Sequence, residues 1–367
     1  MRDAEDTVPV ARSNEEIKAQ YYRQIAKKIL LFVLSIAGII LFIGLFSLNV
    51  FDEISLGESY KIIWNHITGN NDYEKRSIEW WADRYIFDRA MPHIVIAIIA
   101  GISLAVCGAL MQSLMANPLA DPYSTGISSG ACFGAVAAIV AGISFTSLTG
   151  EMGIVTNAFI GALVPALIII LLSSRINMTP ATMILVGTGV SYFFNSMVTY
   201  LMILTDADTL QRAYMWQIGS LDGVTWSSVP LMLCITAVGV ILVLLSWRKL
   251  NLVSMGDKSA ISLGLDVQQF RIFCLMLMSL MTASIVSYVG IIGFIGLVSP
   301  HIVRLVIGGD NKFVIPLSMS VGALLLLFAD YISLAVWDVP VGVTMGLIGS
   351  PIFLYLIINN KRGKAIY

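Results

Sequence analysis

The sequence predicts an all-α integral membrane protein of about ten transmembrane helices, and three observations lead to that class. Of 367 residues, 57% are hydrophobic and only 12% are charged, with a mean hydropathy of +0.84. Soluble domains carry about 25% charged residues, so half the charge needed to cover a globule is missing. The apolar residues gather into runs near the ~20 residues that cross a bilayer core. Lys and Arg, finally, concentrate in alternate connecting segments, the bias that orients membrane chains.

In chain order, residues 1–28 are polar, with five acidic and six basic side chains, and are read as a cytosolic N-terminal tail or surface helix rather than a signal peptide. A transmembrane domain spans 29–360. Its runs are 29–50, 90–115, 124–145, 152–173, 181–205, 227–247, 270–292, a short glycine-broken one at 293–309, then 313–335 and 341–359. With the N-terminus inside, the inner segments hold 16 Lys and Arg and the outer ones 6, and eight Asp or Glu fall in the outer loop 51–89 alone. Both termini, including the tail 361–367, are therefore expected in the cytosol, as is the loop 248–270.

Loop 51–89 ends in Trp80, Trp81 and Tyr85, which suit either an interfacial aromatic belt or a docking surface for an external partner. Loop 206–226, with Asp206, Asp208, Arg212 and Asp222, invites the same two readings.

Composition excludes several function classes. A net charge of −1 and a pI near 6.3 leave no basic field for nucleic acid. Cys107, Cys132, Cys234 and Cys274 lie in apolar runs and match no zinc or disulfide spacing, so they are read as small buried hydrophobes. His66, His93 and His301 are scattered and form no ligand cluster; no metal site and no cofactor bound by this chain are expected. No file of Asp, Glu and His runs through the spans as a proton-coupled carrier needs. Gly126-Ile127-Ser128-Ser129-Gly130 fits G-x-S-x-G, yet that motif needs a strand before it, and here it opens a membrane helix. G-x-x-x-x-G-K-[ST] is absent, so the chain has no phosphate loop for ATP.

Three irregular stretches remain. Asn117, Pro118, Asp121 and Pro122 make a sharp inner turn or gate, with Ser124 or Thr125 capping the next helix. Gly290, Gly293 and Gly296, followed by Pro300, His301 and Arg304, suggest a helix break that serves packing, a hinge or a pathway. Met255 to Leu263 forms about two helical turns in the loop 248–270, with Ser254 as N-cap, Asp257 in the first turn and Gly264 as terminator. Ala260, Ile261 and Leu263 give it an apolar side while Asp257 and Lys258 point elsewhere. It is too short to stand alone, so it is either a docking knob or a helix lying on the bilayer.

Met255, Gly256, Asp257, Lys258, Ala260, Ile261, Leu263 and Gly264 fall in a segment that resembles the L-G-x-x-x-A-x-x-L-G coupling segment of the FecCD-type permeases, which belong to ABC importers of iron siderophores, haem and cobalamin. Similar agreement extends from about residue 85 to 358, through Gly108 to Gln112, Asn117 to Pro122, Gly293 to His301, Arg304, Ala329-Asp330 and Pro340-Val341-Gly342 with Thr344, Gly349 and Pro351. Two departures stand out: the usual L-P-R entry reads Met91-Pro92-His93, with Arg89 nearby, and Asp338 replaces a Glu. The resemblance implies a permease domain like that of cobalamin importers, paired with a second permease subunit, identical or related. It implies two cytosolic ATPase subunits that bind ATP and Mg and dock on the coupling helix, so this chain is not itself an enzyme. It implies an extracytoplasmic binding protein touching Arg89, His93 and Asp338, and a bulky chelate as cargo: a ferric siderophore, with haem or cobalamin as alternatives. The expected location is a prokaryotic cell membrane. A secondary carrier is the rival from another class. Exchanging Ala260 and Leu263 for Asp is expected to uncouple ATP hydrolysis without unfolding the chain.

Overall fold

The computed structural model describes residues 14–48, 54–173 and 175–360; among them every regular element is a helix. Residues 1–13 of the expected tail 1–28, and the whole of the expected tail 361–367, lie outside the described residues. α1 (Asn14–Leu48), α2 (Leu56–Ile67) and α3 (Ile78–Tyr85) come first, and a π-helical turn, Ile86–Ala90, feeds α4 (Met91–Leu114). A 3₁₀ turn, Pro122–Thr125, precedes α5 (Ile127–Ala141), followed by α6 (Gly150–Ser173), α7 (Pro180–Ile203) and α8 (Ala207–Ile218). Then come α9 (Val229–Leu245), α10 (Trp247–Ser254), α11 (Asp257–Ser262), α12 (Val267–Val289), α13 (Ile295–Ile307), α14 (Asn311–Ile332) and α15 (Val341–Asn360).

Each of the ten predicted runs coincides with an apolar helix, but they are not ten equal crossings. Seven helices are long and apolar enough to span; Ile127–Ala141, Ile295–Ile307 and Val341–Leu356 are shorter. The 13 residues of α13 rise only about 20 Å against a ~30 Å hydrocarbon core. The first run also begins earlier than expected, because α1 is one continuous helix of 35 residues from Asn14.

α4 is the central post. Nearly all of it is buried, flanked by α9, α12, α13 and α14. Close approach makes this possible: a Cβ on Gly108 would overlap the backbone of Gly296 on α13, so α4 and α13 meet main chain to main chain. Small residues have this use in lipid, where helix association depends on packing rather than on water. The apolar core divides between the two ends of the bundle, one cluster around Leu110, Met278 and Val314 and another around Ile96, Ile285 and Leu326. By contrast α1 and α7 keep most of their apolar surface outward, as lipid-facing or subunit-facing helices do.

The described part of loop 51–89, residues 54–89, is folded. α2 and α3 form a hairpin with its own small core of Ile54, Ile62, Ala82 and Ile86. A capping box starts α2: Ser55 Oγ accepts from the Glu58 N–H and the Ser55 N–H donates to Glu58 at 2.8 Å. His66 pairs with Asp83 at 2.7 Å and stacks on Phe87. The Trp226 indole N–H donates to the Phe87 carbonyl at 2.7 Å, pinning the hairpin to the bundle. Trp64 and Trp81 stay exposed.

Cys107, Cys132 and Cys274 are buried, as expected, whereas Cys234 is exposed. It sits on an outward face of α9, a helix apolar on all sides, so an apolar neighbourhood in sequence did not imply burial.

Candidate functional site

One end of the bundle carries α10, α11, the C-termini of α4 and α13, and the N-termini of α12 and α14. Lys28 lies over the Phe313 ring at 3.4 Å and Lys312 over Trp247 at 5.8 Å, so basic residues from distant parts of the chain converge there. This is the end the charge bias assigned to the cytosol.

α11 is the projecting element. Gly256 and Gly264 bracket it with φ of +97° and +85°, and a Cβ on either would meet nothing within 4 Å. The glycines are therefore there for backbone conformation, letting the chain enter and leave a single helical turn abruptly. Ser254 is not the N-cap: it ends α10, its hydroxyl donating to the Leu250 carbonyl, and Gly256 takes the cap position without a side-chain bond. The apolar side also differs from expectation. Ala260 is fully buried in the main core, while Met255, Ile261 and Leu263 are exposed at 67%, 61% and 62%. Ala260 is the foot of the knob and those three are its face.

Asp257 does not point away either. Both of its carboxylate oxygens accept from Arg271, at 2.9 and 2.5 Å. Arg271 is 3% exposed and donates further to the carbonyls of Met178 at 2.9 Å and Leu114 at 3.4 Å. Nothing local in the sequence marks this pair, since Arg271 lies fourteen residues from Asp257.

The inner turn is more than a turn. α4 stops where Ala116 adopts φ +44°, and the chain then folds back beside α13. Asn117 Oδ1 accepts from the Leu119 N–H at 2.9 Å, and Asp121 caps the 3₁₀ turn by accepting from the Tyr123 N–H at 3.0 Å. Pro122 packs on Gly296, the partner of Gly108, about 9 Å of helix rise back from Leu114. The Tyr123 hydroxyl donates to the Ile292 carbonyl at 3.0 Å. Ser124 and Thr125 do not cap α5; their hydroxyls donate to the Asp121 and Pro122 carbonyls, and Gly126 at φ +88° is the N-cap. Within the G-x-S-x-G string, the Ser129 hydroxyl donates to the Gly126 carbonyl. The string packs α5 against α6, and no strand precedes it.

The second irregular stretch does break the helix. α12 ends at Gly290, φ +70°, and α13 starts only at Ile295 after Phe294 at φ +66°. Protein covers the exposed backbone, as membrane depth demands: the Ser220 N–H donates to Val289 at 2.9 Å, the Gly342 N–H to Gly219 at 3.0 Å, and Tyr123 to Ile292. Pro300 lies inside α13 without interrupting it. His301 is fully buried, its ring edge-on to Phe353 at 6.4 Å. Arg304, 1% exposed, donates to Ser113 Oγ at 2.8 Å, Asn311 Oδ1 at 3.1 Å and the Gly309 carbonyl at 3.1 Å, and to Gln112 and Ala109 at 3.3 Å. It is a structural hub joining α4, α13 and α14. The six residues read together as a break or pathway thus divide: Gly290 and Gly293 lie in the break, Gly296 packs on α4, and Pro300, His301 and Arg304 are buried within α13.

At the opposite end, Arg89 and His93 line a cavity of about 440 Å³ with Asp88 and Asp222. His93 Nε2 lies 2.6 Å from Asp330, tying α4 to α14, so its imidazole is engaged inward and Arg89 supplies the cation nearer the mouth. Asp338 is exposed in a left-handed turn beyond Leu334, another wall of the cavity. The sequence placed His93 and Asp330 as unrelated residues, 237 apart. Among the described residues no group of three or more His, Cys, Asp or Glu is arranged to hold a metal ion.

A bundle in which seven helices among the described residues are long and apolar enough to cross a bilayer, with a folded hairpin at one end and a latched, apolar-faced helix at the other, defines a multi-pass membrane protein. Its family follows from comparison. The sequence profile of the FecCD transport family matches residues 39–359, and this chain belongs to that family. An ABC transporter permease protein of Methanocaldococcus jannaschii is 37% identical over 353 residues, covering 93% of this chain and 97% of the relative. The hemin transport system permease protein of Yersinia pestis is 33% identical over 314 residues, covering 85% and 91%. Other relatives are permeases of iron(3+)-hydroxamate, iron(3+)-citrate and vitamin B12 import systems. Among solved structures, a metal-chelate type ABC transporter in an inward-facing conformation superposes with a TM-score of 0.75 at 25% identity, covering 90% of this chain and 98% of that one. The protein is an ABC importer permease of the iron-chelate, haem and B12 type.

Proposed function

We propose that this chain forms the membrane path for a ferric siderophore or related iron chelate, working as one of two permease subunits, identical or related. Two cytosolic ATPases dock on α11, and a binding protein delivers cargo to the end that carries Arg89 and Asp338. Both termini and α11 face the cytosol of a prokaryotic cell. ATP and its Mg ion belong to the ATPases; this chain contributes the docking face, the hinges and the path.

The observation that carries this reading is the geometry of α11. A six-residue helix cannot hold itself together in water, yet here it is held by a buried foot at Ala260 and an ion pair at Asp257, presenting Met255, Ile261 and Leu263 outward. A helix resting on the bilayer would need neither attachment, and its apolar side would lie along the membrane rather than at the tip of a basic end. Relatives of comparable similarity are named for haem, hydroxamate and vitamin B12. Haem or a corrinoid is accordingly the alternative cargo for the same machinery.

The deciding experiment is a mild-detergent pull-down of the chain from its native membrane with identification of stoichiometric partners. Recovery of an ATPase and an external binding protein is expected, and titrating that binding protein with ferric hydroxamates, ferric citrate, haem and cobalamin then names the cargo. Recovery of the chain alone in several detergents would sink the proposal and favour a secondary carrier.

A further inference from the structure

Arg271 sits where three parts of the chain meet. Its guanidinium holds Asp257 of α11 with two bonds and reaches the carbonyl of Met178, which leads into α7, and that of Leu114, the last residue of α4. Leu114 feeds directly into the inner turn, and Met178 lies just ahead of α7, on which a Cβ added to Gly187, nine residues further on, would overlap the backbone at Ser124 and Thr125. We propose that Arg271 is a positioning residue that delivers displacement of α11 to both flanks of the 115–126 turn at once. This rests on α11 being the ATPase contact.

Physical chemistry favours the guanidinium for this task over the apolar foot. Burial of Ala260 holds α11 down without fixing its direction, since apolar contact is non-directional. A planar fork of fixed donors resists rotation and shear, and it does so most strongly where water is excluded, as around the buried Arg271. A lysine could match the charge of Asp257, but its compact ammonium cannot fork onto both carboxylate oxygens while reaching two carbonyls on different elements. The spacing also matters. Asp257 and Ala260 lie one turn apart on the same face of α11, so the foot and the ion pair fix both the height and the heading of Met255, Ile261 and Leu263.

The test uses the chain co-purified with its ATPase and binding protein in liposomes. Cys234, the exposed thiol, is replaced by Ser, and Leu119→Cys places a reporter on the exposed side of the turn. Maleimide labelling of that cysteine is compared in the nucleotide-free and vanadate-trapped ATP states. In the parent chain the labelling rate is expected to differ between the two states. In Arg271→Lys and Arg271→Gln the ATPase is expected to remain bound and to hydrolyse ATP while most of that difference disappears. Full retention of the difference in both variants would overturn the proposal. If either variant loses the ATPase, hydrogen exchange of 256–265 in the isolated subunit decides: exchange about tenfold faster than the parent supports the clamp, and unchanged protection refutes it. A parent chain that recruits no ATPase would instead undo the assignment of α11 as the docking element, with the clamp still readable by exchange.

Discussion

At the level of single residues, the structure reassigns roles rather than positions. Ala260 is the sharpest case. On a helical wheel it groups with Ile261 and Leu263, but only contact with the core around Val253, Val267 and Phe270 tells foot from face. The Ala260→Asp exchange is therefore no clean test of coupling, because it forces a carboxylate into a dry core and is expected to abolish folding. Leu263→Asp together with Ile261→Asp is the informative pair: normal membrane yield, with ATP hydrolysis no longer stimulated by the loaded binding protein. Arg304 shows the opposite pattern. Its place in a recognisable motif invited a pathway role, and its five hydrogen-bond partners show a lock. Arg304→Leu takes the guanidinium donor from the Gln112 amide oxygen and the Gly309 carbonyl and is expected to cost about 3 kcal/mol, read as a lowered melting temperature in detergent. His93 and Asp330 escaped sequence reasoning because nothing local joins residues on two helices so far apart in the chain; a complementary pair at matching depths was the only available hint.

Elements were legible where one periodicity sufficed and illegible where context decided. Ten apolar runs gave ten helices in order, and the short run at 293–309 did give the short α13, yet run length could not tell a full crossing from α5, since loop residues of similar greasiness extend its run. The hairpin of α2 and α3 was hidden because a polar segment lacks the apolar contrast that marks a span, although Ser55 and Glu58 stood at capping-box spacing. Glu58 offers a handle on it. The Ser55 N–H, then its hydroxyl, and the nearby Lys61 hold its carboxyl below the ordinary 4.5. The lowered value means that the cap's contribution is complete above pH ~4.5 and is lost as pH falls through the depressed pKa. Amide protection at 56–59, taken relative to the intrinsic exchange rate at each pH, is expected to fall in acid, and Glu58→Gln should be less protected at neutral pH with little further change in acid. The glycines make a second contrast between elements. Gly264→Ala has room for its methyl and meets only the left-handed backbone, a penalty of about 1 kcal/mol that loosens α11. Gly108→Ala meets the Gly296 main chain and is expected to stop α4 and α13 from packing, seen as loss of membrane yield.

For the whole molecule, the charge bias assigns the end that carries α10 and α11 to the cytosol, and one labelling experiment checks it. A cysteine at the exposed Lys258, in the Cys234→Ser background, is expected to react with a membrane-impermeant maleimide in inverted vesicles and not in intact cells. Reaction from outside would invert every assignment of side made above.

The unbroken α1 has a practical consequence at this scale. Its first turns, from Asn14 to the level of Lys28 on the Phe313 ring, extend about 20 Å along the helix axis. A fluorophore or fusion partner joined near Tyr21 would ride on a stiff mast rather than a tether. Its distance and angle to the bundle would stay nearly fixed, making this position suited to energy-transfer measurements of subunit spacing.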